Sequence, residues 1–345
     1  MAGSGHPADL VGGDPVVPAI HFFSAASDIK TWMPGLKPGM TAGLRPDSTT
    51  EDPAMPDPFA ELRHELAVAN RILANEGIID AFGHISVRNP KDPNRYFISR
   101  HRASELVEPS DILEMTLDSK PIVPTNVRLY SEMVIHGEIY KVRPDVNSVC
   151  HHHAPSVLPF CATGVELVPL FHLGGTLGEK VPFWDSRDEF GDTNLLVRTP
   201  EEGASHARAL GPHYMLLLRR HGASLAGKSL RECVFRSIYS TRNAELQLRA
   251  MAIGTLGPLS PGEVEKCGGH NLGSRGVERA WEYWVTRLQK AEAMWAAAGL
   301  PRLKDLGKLA RPQTVGRAPA RSASRREPRV KSRAAPRKRQ GHRSR

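Results

Sequence analysis

The run "DPFAELRHELAVANRILANEGIID" sets Phe59, Leu62, Leu66, Ala69, Ile72 and Leu73 at helical spacing. It predicts an amphipathic helix opened by Asp57-Pro58 as N-cap and first-turn pair and ended by Gly77. The period then shortens. "GHISVRNP" and "NRYFISR" are short strands around the turn-rich Asn89-Pro90-Lys91-Asp92-Pro93-Asn94, a hairpin fed by the helix. "PSDILEMTLDSKPI" gives another strand pair, "SEMVIHGEIYKVRPD" an amphipathic helix stopped by Pro144, "VNSVCHHHA" a strand and "SVLPFCATG" a helical segment. "YMLLLRRHGASLAG" is a hydrophobic strand turning at His221-Gly222, and "SLRECVFRSIYSTRNAELQLRAMAIG" is a long helix in which Ser229 and Glu232 form a capping box. Mixed helices and strands with short turns imply one α/β domain over roughly residues 56–300, without an internal repeat.

Charge divides the chain differently. Residues 311–345 hold 11 Arg and 2 Lys against the single Glu327, so the remainder carries about −3 of the whole-chain +9. The basic character belongs to the tail. Interleaved with Pro, Ser and Ala, residues 301–345 cannot bury enough apolar surface to offset their ordering entropy and are expected to be disordered. Such a tail can make nonspecific contact with nucleic acid or another anion. Residues 1–55 are expected to form a loosely ordered extension without the pattern of a secretory leader.

No run reaches the roughly 18 apolar residues of a membrane helix. Cys150, Cys161, Cys233 and Cys267 form no C-x-x-C pair and suggest reduced thiols in a cytoplasmic protein.

Candidate chemistry concentrates at "CHHHA". Strand alternation sends His151 and His153 to one side and His152 to the other, so two imidazoles can reach one ion. Glu132 lies near the start of the preceding helix, on one stripe with His136, and a carboxylate beside a cation can be ligand or general acid/base. His221, where a buried strand ends in a Gly turn, is a third imidazole. Three nitrogen ligands and an open position suit a catalytic zinc. His172, beside Gly174-Gly175, is a weaker candidate.

"SEMVIHGEIYKVRPDVNSVCHHHAPS", with Glu132 nineteen residues before His151, and the later "RRHGASLAG" resemble the class II aldolase/adducin family from about Phe59 to Gly254. The resemblance implies a single class II aldolase-like domain whose central sheet is mixed, mainly antiparallel and flanked by helices. It implies Glu132 as the acid/base residue, with His151, His153 and His221 holding one divalent metal per subunit, usually zinc. It also implies a homotetramer with sites near subunit boundaries.

The sugar-phosphate aldolases of that family carry a "G-N-x-S" turn and a small Gly-containing loop that cradle phosphate. Here Gly83-His84-Ile85-Ser86 and "ISRHRASEL" stand instead. Arg100 and Arg102 in place of a backbone cradle point to a carboxylate held by guanidinium forks, with His84 and Ser86 lining the pocket. "GHISVRNPKDPNRYFISR", "IHGEIYKVRPDV", "EFGDTNLLVRTPEEGASHARALG" and "LSPGEVE" resemble the decarboxylase branch. That branch acts on aromatic-catabolism acids such as hydroxy-carboxy-muconic semialdehydes and dihydroxyphthalate. The expectation is therefore a metal-dependent decarboxylase of a small carboxylic acid. An aldolase of sugar phosphates or hydroxy-keto acids, and a noncatalytic adducin-like binding protein, are the alternatives.

Overall fold

The computed structural model describes residues 57–298. The expected N-terminal extension and basic tail lie outside the described residues. In chain order the elements are α1 (Ala60–Asn75), β1 (His84–Arg88), β2 (Arg95–Ser99), β3 (Ile112–Thr116), α2 (Val134–Val142), β4 (Ser148–His152), α3 (Leu158–Thr163), β5 (Phe183–Trp184), α4 (Arg187–Phe190), α5 (Pro200–Leu210), β6 (Met215–Leu218), β7 (Gly222–Gly227), α6 (Leu230–Met251), α7 (Pro261–Asn271) and α8 (Ser274–Ala297).

The seven strands form one sheet in the order β3-β2-β1-β4-β7-β6-β5. Every neighbouring pair is antiparallel except β5 and β6, which run parallel. The sheet is thus mixed and mainly antiparallel, with helices packed against it.

Alternation along the strands builds two cores. Ile85, Val87, Cys150, Ala223 and Leu225 join α1, α6 and α8 residues, Leu66, Ile72, Ile238 and Trp284 among them. Tyr96, Ile98, Val149, Leu216 and Ala226 join Ile135 and Ile139 of α2 and Ala207 and Leu210 of α5. Leu66, Ile72 and Leu73 are completely buried on α1, each worth roughly 1.5–3 kcal/mol of hydrophobic transfer.

Local signals set the helix ends. Thr199 with Glu202 and Ser260 with Glu263 are reciprocal capping boxes, each followed by Pro at the first helical position. Ser229 makes only half of one. Its hydroxyl accepts the Glu232 N–H at 3.1 Å, but the Glu232 carboxylate turns to Arg236 at 2.8 Å. Asp57 accepts the Phe59 N–H and pairs with Arg63, while Phe59 takes the cap position of α1. The strand pair expected in residues 109–122 is one strand, β3, with a single bridge from Met115 to Pro121.

Outside the sheet, the segment from Glu166 to Leu170 leans on two amides of α6. Asn243 accepts the Leu170 N–H and donates to the Val168 carbonyl; Gln247 accepts the Val168 N–H and donates to the Glu166 carbonyl. Gly174-Gly175 follows. A Cβ at Gly174 would meet Asn243 Oδ1 at 2.2 Å and one at Gly175 would meet Cys267 Cβ at 2.9 Å, so this pair serves helix packing. Among the described residues no helix is long and apolar enough to cross a membrane.

Candidate metal centre

On β4, His151 shares a face with Val149, whereas Cys150 and His152 enter the opposite layer. His152 is completely buried, and its Nδ1 accepts the Ala154 N–H at 3.2 Å. His153 lies one residue past the strand end and comes back to the His151 side, its Nε2 3.1 Å from His151 Nε2.

His221 sits in the tight β6–β7 turn, after Arg220 in the left-handed region (φ 54°). The next residue has to be glycine. A Cβ at Gly222 would meet the His152 carbonyl oxygen at 2.4 Å and His153 Cδ2 at 2.7 Å. Glu132 was expected near the start of a helix; it occupies the turn before α2, which begins at Val134. There its Oε1 accepts the Val197 N–H at 3.0 Å.

These elements bring one ligand atom each from Glu132, His151, His153 and His221 within 4.8 Å of one another. His221 Nε2 is 3.6 Å from Glu132 Oε1, and His151 Nε2 is 3.9 Å from Glu132 Oε2. The His153 and His221 rings stack with centroids 5.0 Å apart.

Burial governs the protonation of the group. It pushes the Glu132 carboxyl up to about 7, only partly countered by the Val197 N–H. Burial, with His153 alongside, holds His221 down at about 4. His151 is held well below the usual imidazole range by burial first and by the neighbouring rings second. The imidazoles are therefore neutral at pH 7 and offer lone pairs. His221 Nε2 has no hydrogen-bond partner. Three neutral nitrogens and a carboxylate, one nitrogen buried and unpartnered, fit a divalent cation.

Other expected residues go elsewhere. His84 borders the cluster, its ring 5.4 Å from that of His151, but its Nδ1 is 2.6 Å from His136 Nε2. His136 Nδ1 lies 2.7 Å from Ser86 Oγ, which lies 2.7 Å from the Tyr140 hydroxyl. Ser86 is completely buried, so it belongs to an internal chain of polar groups. Arg100 Nε and Arg102 Nη1 each donate to Asp111, one to either carboxylate oxygen, at 2.7 Å. His172 is exposed, and its carbonyl accepts from Asn271.

Asp111 and Tyr130 escaped the sequence reading. The Tyr130 ring lies 4.7 Å from His84, and its hydroxyl donates to the Arg102 carbonyl at 2.6 Å. Its place two residues before Glu132 was the available signal. A cleft of about 460 Å³ opens beside His153, with Ile79, Asp80, Ala81 and Glu105 in its walls. That volume falls within the range of small-molecule sites.

Residues 64–248 match the model of the Class II Aldolase and Adducin N-terminal domain. A decarboxylase of Talaromyces stipitatus, tropJ, is 35% identical over 240 residues, which is 63% of this chain and 90% of that protein. The 3,4-dihydroxyphthalate decarboxylase of Arthrobacter keyseri is 28% identical over 248 residues, 67% of this chain and 96% of that one. Among solved structures, the L-fuculose 1-phosphate aldolase of Glaciozyma antarctica PI12 aligns with a TM-score of 0.57 at 22% identity, covering 68% of this chain and 91% of that chain, a likeness of fold.

Proposed function

Because this chain belongs to the class II aldolase and adducin family, we propose that it is a divalent-metal-dependent carbon–carbon lyase that decarboxylates a hydroxylated aromatic or ring-cleavage carboxylic acid. The observation that carries this reading is the convergence of Glu132, His151, His153 and His221 within 4.8 Å. Decarboxylases among the relatives favour loss of carbon dioxide over release of an aldehyde. His151, His153 and His221 would hold the ion, and zinc suits three imidazoles best.

A bound divalent ion supplies Lewis acidity, lowering the cost of negative charge on a substrate oxygen as the bond to the carboxylate carbon breaks. The remaining work is proton management. When that bond breaks, its electron pair stays with the substrate, carbon dioxide leaves, and the carbon left behind needs a proton. Glu132 delivers it: its carboxyl, which burial pushes up in the metal-free protein, lies beside the three imidazoles, and the carboxylate recovers its proton from water. The Val197 N–H fixes one carboxyl oxygen while this happens.

His84, at the edge of the cluster, faces the substrate, and Ser86 acts on it through His136. Arg100, the more exposed of the two arginines on Asp111, is the cation offered to a substrate carboxylate. Arg102 holds that loop in place. The working form is a homotetramer in the cytoplasm.

Purified protein incubated with a panel of dihydroxyaromatic and hydroxymuconic acids should release carbon dioxide. Chelation should stop the release, and elemental analysis should find one zinc per chain. Aldehyde in place of carbon dioxide would make the protein an aldolase. Release that survives complete removal of metal would end the metal reading.

A further inference from the structure

Behind the cluster, His151 has a second polar neighbour. Its Nδ1 is 3.2 Å from Ser224 Oγ, and the same oxygen is 3.0 Å from His206 Nε2. His151 on β4 and Ser224 on β7 are direct partners in the sheet register, and His206 descends onto them from α5. All three side chains are completely buried. The Trp184 ring meets His206 edge-on at 5.6 Å, and the Trp184 indole N–H is tied to Ser205 at 3.0 Å. His206 Nδ1 has no hydrogen-bond partner.

Donor and acceptor counting restricts where the protons can sit. A neutral imidazole has one N–H and one bare nitrogen, and a serine hydroxyl has one hydrogen to give. If His206 Nε2 is bare, Ser224 donates to it, and Ser224 Oγ then accepts the Nδ1–H of His151. His151 Nε2 is left bare, facing Glu132 and His153. If His206 instead carries its proton on Nε2, the Ser224 hydrogen turns to His151 Nδ1. The His151 proton is then forced onto Nε2, the nitrogen that would hold an ion. One line of hydrogen bonds therefore has two directions, of which a single one leaves the ligand atom free.

We infer that Ser224 and His206 are positioning residues that hold His151 with its proton on Nδ1, by giving the Ser224 hydroxyl an acceptor other than His151. The inference rests on the proposed metal centre, and it assigns a role to residues outside it. Hydrogen-bond partners behind a ligating histidine are generally worth 10- to 100-fold in metal affinity.

The relay predicts an unusual pattern of couplings. His206→Phe removes the acceptor, so the Ser224 hydrogen is left with His151 Nδ1 and opposes binding. His206→Gln puts an oxygen near the former Nε2 and keeps the acceptor. Adding Ser224→Ala to His206→Phe removes the competing hydrogen and restores part of the loss. A residue that merely fills space would give a second loss with the second truncation.

The test is competition for zinc against a chromogenic chelator, on full-length variants whose circular dichroism matches wild type. His206→Phe should weaken zinc binding about 10- to 100-fold, His206→Gln should stay close to wild type, and the double variant should bind more tightly than His206→Phe alone. Unchanged affinity in His206→Phe, or a double variant weaker than the single, overturns the relay. Nitrogen chemical shifts of labelled histidines in zinc-loaded wild type give a second readout that needs no variant. Protons on Nδ1 of His151 and His206 are expected, and a His206 proton on Nε2 overturns the relay. Wild type that takes up no zinc, or a His153→Ala variant that binds as well as wild type, would overturn the metal centre itself. Wild type that binds normally while His206→Phe is indistinguishable from it overturns the relay alone.

Discussion

Glu132 Oε1 accepts the backbone N–H of Val197 at 3.0 Å, a contact across 65 residues of chain. The acid/base candidate is thereby held by the stretch leading into α5, not by a helix of its own. Glu132→Gln retains a carbonyl oxygen for Val197 but cannot carry a proton. Carbon dioxide release should fall by about 10²- to 10⁴-fold while zinc content stays near one per chain. A loss of metal in parallel with activity would make Glu132 a ligand first.

Gly222 begins β7 where a Cβ would meet the His152 carbonyl and the His153 ring. Gly222→Ala should cost about 1–3 kcal/mol through overpacking and weaken zinc binding, because the displaced atoms include His153. Denaturant titration and chelator competition on the same sample measure the two effects. Intact affinity in a destabilised variant would show that His153 is free to shift.

His152, on the other side of β4, separates stability from metal. Its side chain is completely buried, so His152→Ala should lose about 2–4 kcal/mol with zinc content unchanged. Loss of zinc from folded His152→Ala would mean that the strand alternation does not isolate this ring.

Asp111 bridges Arg100 and Arg102, one to each carboxylate oxygen, and leaves the trio with a net positive charge. Asp111→Ala should destabilise the fold by about 2 kcal/mol, less than for a sealed pair because Arg100 is partly in solvent. Arg100→Ala should raise KM for a carboxylate substrate with little change in kcat. A fall in kcat alone would place Arg100 away from ground-state substrate binding.

Acid should destabilise the metal-free protein. Burial lowers His152 and His206 from 6.5 to about 3 in the folded state. From pH 6.5 down to about 3 the unfolded chain therefore binds more protons than the folded one. Their stabilisation is complete above 6.5 and is lost through that window, by up to about 1.4 kcal/mol per unit for each residue. Glu132, raised from 4.5 to about 7, has the opposite sign, contributing most below 4.5 and nothing above 7. Urea midpoints with chelator present should rise with pH from 4 to about 6.5, where the two histidines outweigh Glu132, and level off above 7. A flat profile would show that these rings protonate inside the folded protein.

Sequence pattern carried further along single elements than between them. Period two along β4 was enough to separate His152 from His151 and His153, because alternation is a property of one strand. The helical stripe that included Glu132 began too early, since its residues extend back through a turn with no change of polarity to mark the boundary. Pairing of Arg100 and Arg102 with Asp111 requires the loop to fold back on itself, and nothing local to "ISRHRASEL" encodes that partner. His206 was invisible for a stronger reason: it meets Ser224 only after α5 has packed on the sheet, and nothing next to it in sequence names that partner.

The two amides of α6 that grip residues 166–170 set a length scale. Asn243 and Gln247 are one helical turn apart, an advance of about 6 Å, while two residues of extended chain advance about 6.6 Å. Near equality of these steps makes the helix a ruler against which a neighbouring strand-like segment is indexed. A slip of one residue would turn Leu167, now buried, toward solvent and misalign every amide contact at once. The chain entering Gly174-Gly175 is thus metered by a helix and not by a neighbouring strand.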